Sequence, residues 1–203
     1  QGRQSSVIFS LDARPIIVAL AGPKGADSST FFAAYLRTAS LRFVNADDLA
    51  RELNLGAYEP ADLAKHVRQG LLASRESFVF ETVFSDPVGE KVEFLSSAAR
   101  AGYTVTLCFI GLEKARTSEE RVAMRVLQGR HDVPTEKLVA RFARSLRNLE
   151  LAIRELPSVH AFDNSDLGQP FRKVAEFRDG KPVALFAPMP AWLRPKRRPR
   201  KGR

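Results

Sequence analysis

One stretch near the start of the chain limits what it can fold into: Pro15-Ile-Ile-Val-Ala-Leu-Ala-Gly22-Pro23-Lys24-Gly25-Ala26-Asp27-Ser28-Ser29-Thr30-Phe31. An apolar run of strand length meets a glycine-bearing turn, then a Ser/Ser/Thr cluster that opens an amphipathic helix. Strand, loop and helix in that order are the setting of a phosphate-binding loop, whose pattern is Gly, four residues, then Gly-Lys-Ser/Thr. Gly22 fits the first position and Ser29 the last, but Asp27 stands where the second glycine belongs and Ser28 where the lysine belongs. Such loops hold phosphates with a nest of backbone N–H groups and the positive end of a helix. On this reading Gly22, Pro23, Lys24, Gly25, Ala26, Asp27, Ser28, Ser29 and Thr30 are the cofactor-binding residues. A carboxylate at 27 repels phosphate, and Ser28 is neutral and too short to bridge phosphates. Ser29 and Thr30 keep the hydroxyl chemistry, and Lys24 is a candidate replacement cation. On the other reading, Asp27-Ser28-Ser29 is simply a helix N-cap cluster.

Composition bounds the rest. The 203 residues and 44% hydrophobic content suit one domain with a full core. We divide the chain into an N-terminal extension (1–14), a main domain (15–193) and a basic tail (194–203). The tail, Arg-Pro-Lys-Arg-Arg-Pro-Arg-Lys-Gly-Arg, holds seven Lys/Arg and no acid, so only +2 of the net charge of +9 belongs to the body. A tail of this kind can hold nucleic acid or another anionic surface, or remain a solvated end. It has no interleaved aromatics for base stacking. The single cysteine, Cys108, excludes an internal disulfide and fits a reducing compartment. Its place within an apolar strand predicts a packed thiol. No apolar run approaches the ~18 residues of a membrane span, and no signal-peptide pattern opens the sequence. A cytoplasmic location is expected, with no membrane partner.

Strand-like and helix-like segments alternate along the chain. Strands are expected at 15–21, 41–44, 77–81, 103–110 and 159–162, and a hairpin turning at Asp179-Gly180. Helices are expected from Ser28 to Thr38, after Asp47-Asp48, from Pro60, over 88–99, over 117–128 and from Pro134 to Glu155. Their inward faces are read as Leu63, Val67 and Leu71; Val88, Val92, Leu95 and Ala99; and Leu138, Phe142, Leu146 and Leu149. Alternation of this kind predicts an α/β three-layer sandwich, with a mainly parallel five-stranded sheet and helices on both faces. Sites in such folds gather at the carboxyl ends of the strands. Gly22, Asp47, Glu81 and Asp163 all fall there.

These residues match the parts list of phosphoryl transfer: a phosphate cradle, a metal, a carboxylate for the acceptor hydroxyl, and cations. Asp47 can serve as the base or as a helix cap, with Asp48 competing for the cap. Glu81 can hydrogen-bond a substrate or merely pair with a neighbour. Arg121, Arg125, Arg130, Arg141 and Arg144 can supply cations or sit solvated, and His131 can carry a proton or be a structural loop histidine.

Ile17-Val-Ala-Leu-Ala-Gly-Pro23, Phe43-Val-Asn-Ala-Asp47, Phe78-Val-Phe-Glu-Thr82, Arg130-His-Asp-Val-Pro134 and Arg141-Phe-Ala-Arg-Ser-Leu-Arg-Asn-Leu149 together resemble the zeta-toxin family of P-loop kinases. The resemblance implies a P-loop kinase fold, ATP and Mg²⁺ as cofactors, and phosphorylation of a nucleotide-sugar such as UDP-N-acetylglucosamine. It implies Asp47 as catalytic base, Arg121 and Arg130 as phosphate-holding catalytic arginines, Glu81 and Thr82 as the substrate-binding pair, and Ser29 as the metal-contacting hydroxyl. It also implies an antitoxin protein as partner. The family has Gly at position 27 and Lys at 28, and this chain has neither. An ATP-dependent kinase impaired at its loop, a pseudokinase that keeps the acceptor pocket, and a nucleic-acid-associated protein acting through its tail are the three readings that follow.

Overall fold

The computed structural model describes residues 10–46, 48–49, 60–115, 117, 120, 123 and 135–194. The expected helix over 117–128, the sites Asp47, Arg121, Arg125, Arg130 and His131, and the tail beyond Arg194 fall outside this set in whole or in large part. Strand β1 (Ile16–Ala21) is buried at every position and lies at the centre of the five parallel strands. Helix α1 (Ser28–Tyr35) follows it, then a 3₁₀ turn (Arg37–Ala39) and β2 (Arg42–Val44). Next come α2 (Pro60–Ala73), β3 (Phe78–Thr82), α3 (Glu90–Arg100), β4 (Thr104–Gly111), the long α4 (Thr135–Glu155) and β5 (Ser158–Asp163). The hairpin β6 (Arg172–Arg178) and β7 (Lys181–Leu185) precedes a last 3₁₀ turn at Ala191–Leu193.

The strand order is β2-β3-β1-β4-β5-β6-β7. The first five strands pair in parallel, as the alternation of strand and helix predicts. The hairpin does not stand apart. It adds to β5 in antiparallel register and widens the five-stranded sheet to seven. On one face α1 packs over Ile16, Val18, Leu20 and Val79. Its Phe31 ring lies against Phe162 and Phe171, with centroids 4.9 and 5.4 Å away. On the other face α2, α3 and α4 cover Ile17, Ala19, Phe78, Phe80 and Phe109. The sandwich therefore has its three layers. Cys108 is fully buried, and burial pushes its thiol pKa well up, as befits a packed group.

Two stripes differ from the sequence reading. In α3 the buried residues are Val92, Leu95, Ser96 and Ala98, while Val88 is 81% exposed because it lies in the turn before the helix begins. In α2 the fully buried positions are Ala64, Arg68 and Leu71, with Leu63 and Val67 only half-buried. The helix is rotated from the aliphatic pattern by about one residue, and a guanidinium lies within its inner face. Among the described residues no helix is long and apolar enough to cross a membrane.

The last 3₁₀ turn closes one end of the sheet. Trp192, the chain's single tryptophan, lies against Phe109 with centroids 5.6 Å apart. The space it fills exists because residue 111 is glycine: a Cβ there would stand 2.3 Å from the indole ring. Gly111→Ala is therefore expected to displace the ring, costing about 1–3 kcal/mol. A red shift of the single-tryptophan fluorescence checks this, and an unshifted spectrum refutes it.

His160 on β5 is buried and sits 3.7 Å from the Glu176 carboxylate, with Ser158 Oγ at 3.2 Å from its Nε2. Burial first, then the nearby Lys173 and Arg178, lower its pKa to about 4 against the pull of Glu176. The unfolded chain takes up this proton near pH 6.5 and the folded one does not. Stability is therefore full above pH 6.5 and falls as the pH drops towards 4, by about 1–3 kcal/mol. Urea unfolding from pH 7.5 to 4.5 measures it. His160→Asn is expected to flatten that slope, and an unchanged slope would remove the histidine as its source.

Candidate functional site

The loop after β1 begins with a steric requirement. A Cβ on Gly22 would lie 2.3 Å from the Ile110 carbonyl oxygen and 2.9 Å from the Ala26 Cβ, so no side chain fits. From there Pro23 turns the chain, its carbonyl accepting the Ala26 N–H at 3.1 Å. Gly25 takes φ +92° and Asp27 φ +65°, both left-handed. Glycine adopts this region freely, and aspartate is among the few other residues that tolerate it. Asp27 thus supplies the backbone shape that the motif's second glycine provides, and α1 starts directly after it. Asp27 makes no side-chain cap bond to the helix, so the N-cap reading of this cluster does not describe its carboxylate. Ser28 is buried, and Ser29 and Thr30 are exposed.

Three segments converge at the opening of this loop. Ser29 Oγ donates to Glu81 Oε2 at 2.8 Å. Asn45 Nδ2 donates to the same oxygen at 2.8 Å and lies 3.4 Å from Ser29 Oγ. Parallel register sets Leu20 beside Glu81 and Ala21 beside Thr82, which places the end of β3 against the start of the loop. Asn45, 8% exposed, was not singled out by the sequence reading. Its Oδ1 accepts the Asp48 N–H at 3.3 Å and its carbonyl the Leu49 N–H at 3.1 Å. The cap sought at Asp47 or Asp48 is therefore Asn45, and the Asn in Asn-Ala-Asp-Asp after an apolar strand was the signal for it. Asp47, Arg121 and Arg130 lie outside the described residues.

Glu81 and Thr82 go to different tasks. Adjacent strand residues point to opposite faces. Glu81 turns to the α1 side and Ser29. Thr82 Oγ1 accepts the Phe84 N–H at 3.3 Å and so shapes the following loop. That loop carries Phe84 at φ +59° and buries its ring. It is held from α4: Arg144 Nε donates to the Ser85 carbonyl at 2.8 Å, Ser145 Oγ to the Val83 carbonyl at 2.9 Å, and Asn148 Nδ2 to those of Phe84 and Asp86, each at 3.0 Å. Arg144, a candidate lid cation by sequence, is thus engaged with the backbone. Ser145 and Asn148 are buried polar residues inside a helix stripe, a signal the aliphatic pattern alone overlooks.

Asp163, the fourth polar strand end, points elsewhere. It accepts from Ser165 Oγ at 2.6 Å, Arg172 Nη2 at 3.2 Å and Trp192 Nε1 at 3.3 Å, bracing the hairpin and the last turn. Its neighbour Asn164 serves the loop instead. Buried to 2% exposure, it donates from Nδ2 to the Ala26 carbonyl at 3.1 Å and accepts the Phe171 N–H at 3.3 Å.

Chemically, the Ser29 hydroxyl and Glu81 carboxylate are hard oxygen donors of the kind Mg²⁺ takes, commonly with only one or two protein ligands. The left-handed turns and the start of α1 suit an anion, but position 28 offers no ammonium and Asp27 brings a negative charge. Asn164→Ala is expected to leave the Ala26 carbonyl and Phe171 N–H unpaired, costing about 1–3 kcal/mol. Thermal unfolding together with proteolysis at the loop tests it; unchanged stability and cleavage would show that the loop holds itself.

A family model for zeta toxins matches residues 54–167, more than half of the chain and downstream of the Gly22–Ser29 loop. No curated protein sequence matches. Among solved structures, a chain of the AvrRxo1-ORF1:AvrRxo1-ORF2 complex with sulphate ions, and the same complex with ATP, are similar at TM-score 0.64 and 20% identity. The match covers 86% of this chain and 61% of that one, so the chain spans less than two thirds of that relative's length. A chain of the PezAT toxin-antitoxin system of Streptococcus pneumoniae is similar at TM-score 0.52 and 15% identity, with 80% of this chain and 72% of that one covered. The three layers and mainly parallel sheet make a P-loop kinase-type fold, in line with the overall likeness to these structures, and the chain belongs to the zeta-toxin family.

Proposed function

We propose that this protein is a zeta-toxin-type phosphotransferase that uses ATP with Mg²⁺ to phosphorylate a hydroxyl of a nucleotide-sugar such as UDP-N-acetylglucosamine, and that it turns over slowly for want of a lysine at position 28. The observation that carries it is the meeting of Ser29, Asn45 and Glu81 at the mouth of the loop. The structure in complex with ATP belongs to the AvrRxo1 relative, and its fold likeness supports nucleotide binding by this chain. Bound Mg·ATP supplies the phosphoryl group and its charge compensation. Ser29 and Glu81 are the residues that would hold the metal, and Glu81 also orients the acceptor. Asp47 is the proposed base, with Arg121 and Arg130 as cations over the phosphates. Lys24 is the replacement cation of the loop. An antitoxin is the proposed partner, in line with the toxin-antitoxin relative.

One observation favours a second reading. Ser28 is buried and uncharged, and Asp27 sets a carboxylate at the helix start. With two of the loop's charges wrong for phosphate, the fold can keep its acceptor pocket as a binding protein without transfer. Calorimetric titration of Mg·ATP separates the two: micromolar binding supports the kinase, and silence up to millimolar nucleotide supports the binding protein. If ATP binds, Lys24→Ala is expected to abolish binding. The Asp27→Gly/Ser28→Lys double variant is expected to raise ADP release with UDP-N-acetylglucosamine by on the order of 100-fold, the scale of one preorganised charge-stabilising group. A repaired loop with no gain would overturn the phosphotransfer reading.

A further inference from the structure

The guanidinium on the inner face of α2 has no partner that explains its burial. Arg68 is 6% exposed, and its Cζ lies 5.1 Å from the Phe80 ring centroid and 6.0 Å from that of Phe94. It makes no hydrogen bond or ion pair among the described residues. The carboxylate whose charge it feels, Glu90, is engaged by Lys65 at 3.0 Å on Oε1 and by Lys91 at 3.6 Å on Oε2. Glu93 is likewise held by Arg100 at 2.7 Å and by Ser97 at 2.9 Å. Withdrawing a cation from water is unfavourable. The two flanking rings offset part of that cost but pair with none of the five N–H donors, which keep access to solvent.

Arg68 lines a groove. Between α2 and α3 lies a cavity of about 290 Å³ lined by Lys65, Arg68, Gln69, Glu90, Lys91, Glu93, Phe94 and Ser97. It shares no residue with the Ser29–Asn45–Glu81 cluster and is independent of the phosphotransfer reading. We propose that this groove binds a carboxylate carried on an aromatic or apolar body, with Arg68 as its two-pronged anchor and the Phe94 ring as the wall its body lies against. Three choices lead to that ligand class. The planar fork of arginine matches a carboxylate in two parallel hydrogen bonds. The lining carries three cations and two carboxylates, a surplus of one positive charge, which suits a monoanion and disfavours a phosphate dianion beside Glu90 and Glu93. Phe94 gives the lining an apolar wall that a bare inorganic ion cannot use. Lys65 and Lys91 on the rim draw anions towards the opening.

The test titrates the full chain with sodium benzoate, followed by backbone amide NMR, with neutral benzamide and inorganic phosphate in parallel. Saturable shifts on α2 and α3 with benzoate are expected, with at least tenfold weaker response to benzamide and to phosphate. Arg68→Met should lose benzoate binding tenfold or more, and Arg68→Lys should keep part of it. Should Arg68→Met fail to fold, the benzoate and benzamide comparison on the unaltered chain still decides. Equal response to benzamide, preference for phosphate, unchanged binding in Arg68→Met, or no saturation would each overturn the proposal. A short peptide ending in phenylalanine, with its C-terminus free or amidated, distinguishes the source. A free-terminus peptide that binds more tightly than benzoate, with the amidated form silent, assigns the carboxylate to a polypeptide end. A weaker one assigns it to a free organic acid.

Discussion

The carbonyl oxygen of Ile110 stands where a side chain on residue 22 would begin. This contact governs the whole upper edge of the sheet. Because β1 and β4 are neighbours in register up to Ala21 and Phe109, the chain leaving β1 must cross the end of β4 at backbone distance. Only glycine permits that crossing, and the crossing tucks Ala26 down so that Asn164 can hold its carbonyl from β5. With the loop pinned, α1 starts at Ser28 and directs Phe31 into the aromatic cluster of Phe162 and Phe171. Loop, first helix and fifth strand are thus fixed by one close approach.

The same loop separates shape from charge. A phosphate-binding turn needs backbone in the left-handed region and needs cations, and these requirements are physically independent. Asp27 meets the first at φ +65° and violates the second. Ser28 leaves the helix start intact while removing the ammonium. The chain can therefore retain the fold of its family while altering the electrostatics of the donor side, since the residues that differ are not those that bear the load of packing.

Much of this architecture was legible in the sequence because burial on both faces writes itself as an uninterrupted apolar run, as in Ile16–Ala21, and helices over the sheet repeat near every third or fourth residue. The strand ends followed, and with them Glu81 at the loop. What was illegible were polar residues whose purpose is internal. Asn45, Ser145, Asn148 and Asn164 bond to backbone or to one another's neighbours across 16 to 138 residues of sequence, and no local pattern records such a partner. Arg68 was illegible for a different reason. A charged residue in a helix is read as outward, yet two aromatic rings draw it inward and turn α2 by about a residue. The hairpin was visible through Asp179-Gly180, but its pairing with β5, which makes the sheet seven-stranded, is a long-range fact.

These buried polar contacts also explain how a site on loops keeps its geometry. Arg144, Ser145 and Asn148 project from one face of α4 and between them hold the four consecutive carbonyls of Val83, Phe84, Ser85 and Asp86. Asp86, at the end of that loop, accepts the Glu90 N–H at 2.5 Å and so fixes the start of α3. Between the two anchors the backbone at Phe84 is held left-handed, a conformation that persists only where its surroundings over-determine it. The end of β3 then has little freedom, and Glu81 reaches Ser29 from a fixed direction. A helix on the opposite face of the sheet from α1 thereby sets the position of the carboxylate facing that loop. Changes at Ser145 or Asn148 act on that carboxylate through the backbone between them, whatever ligand the loop accepts.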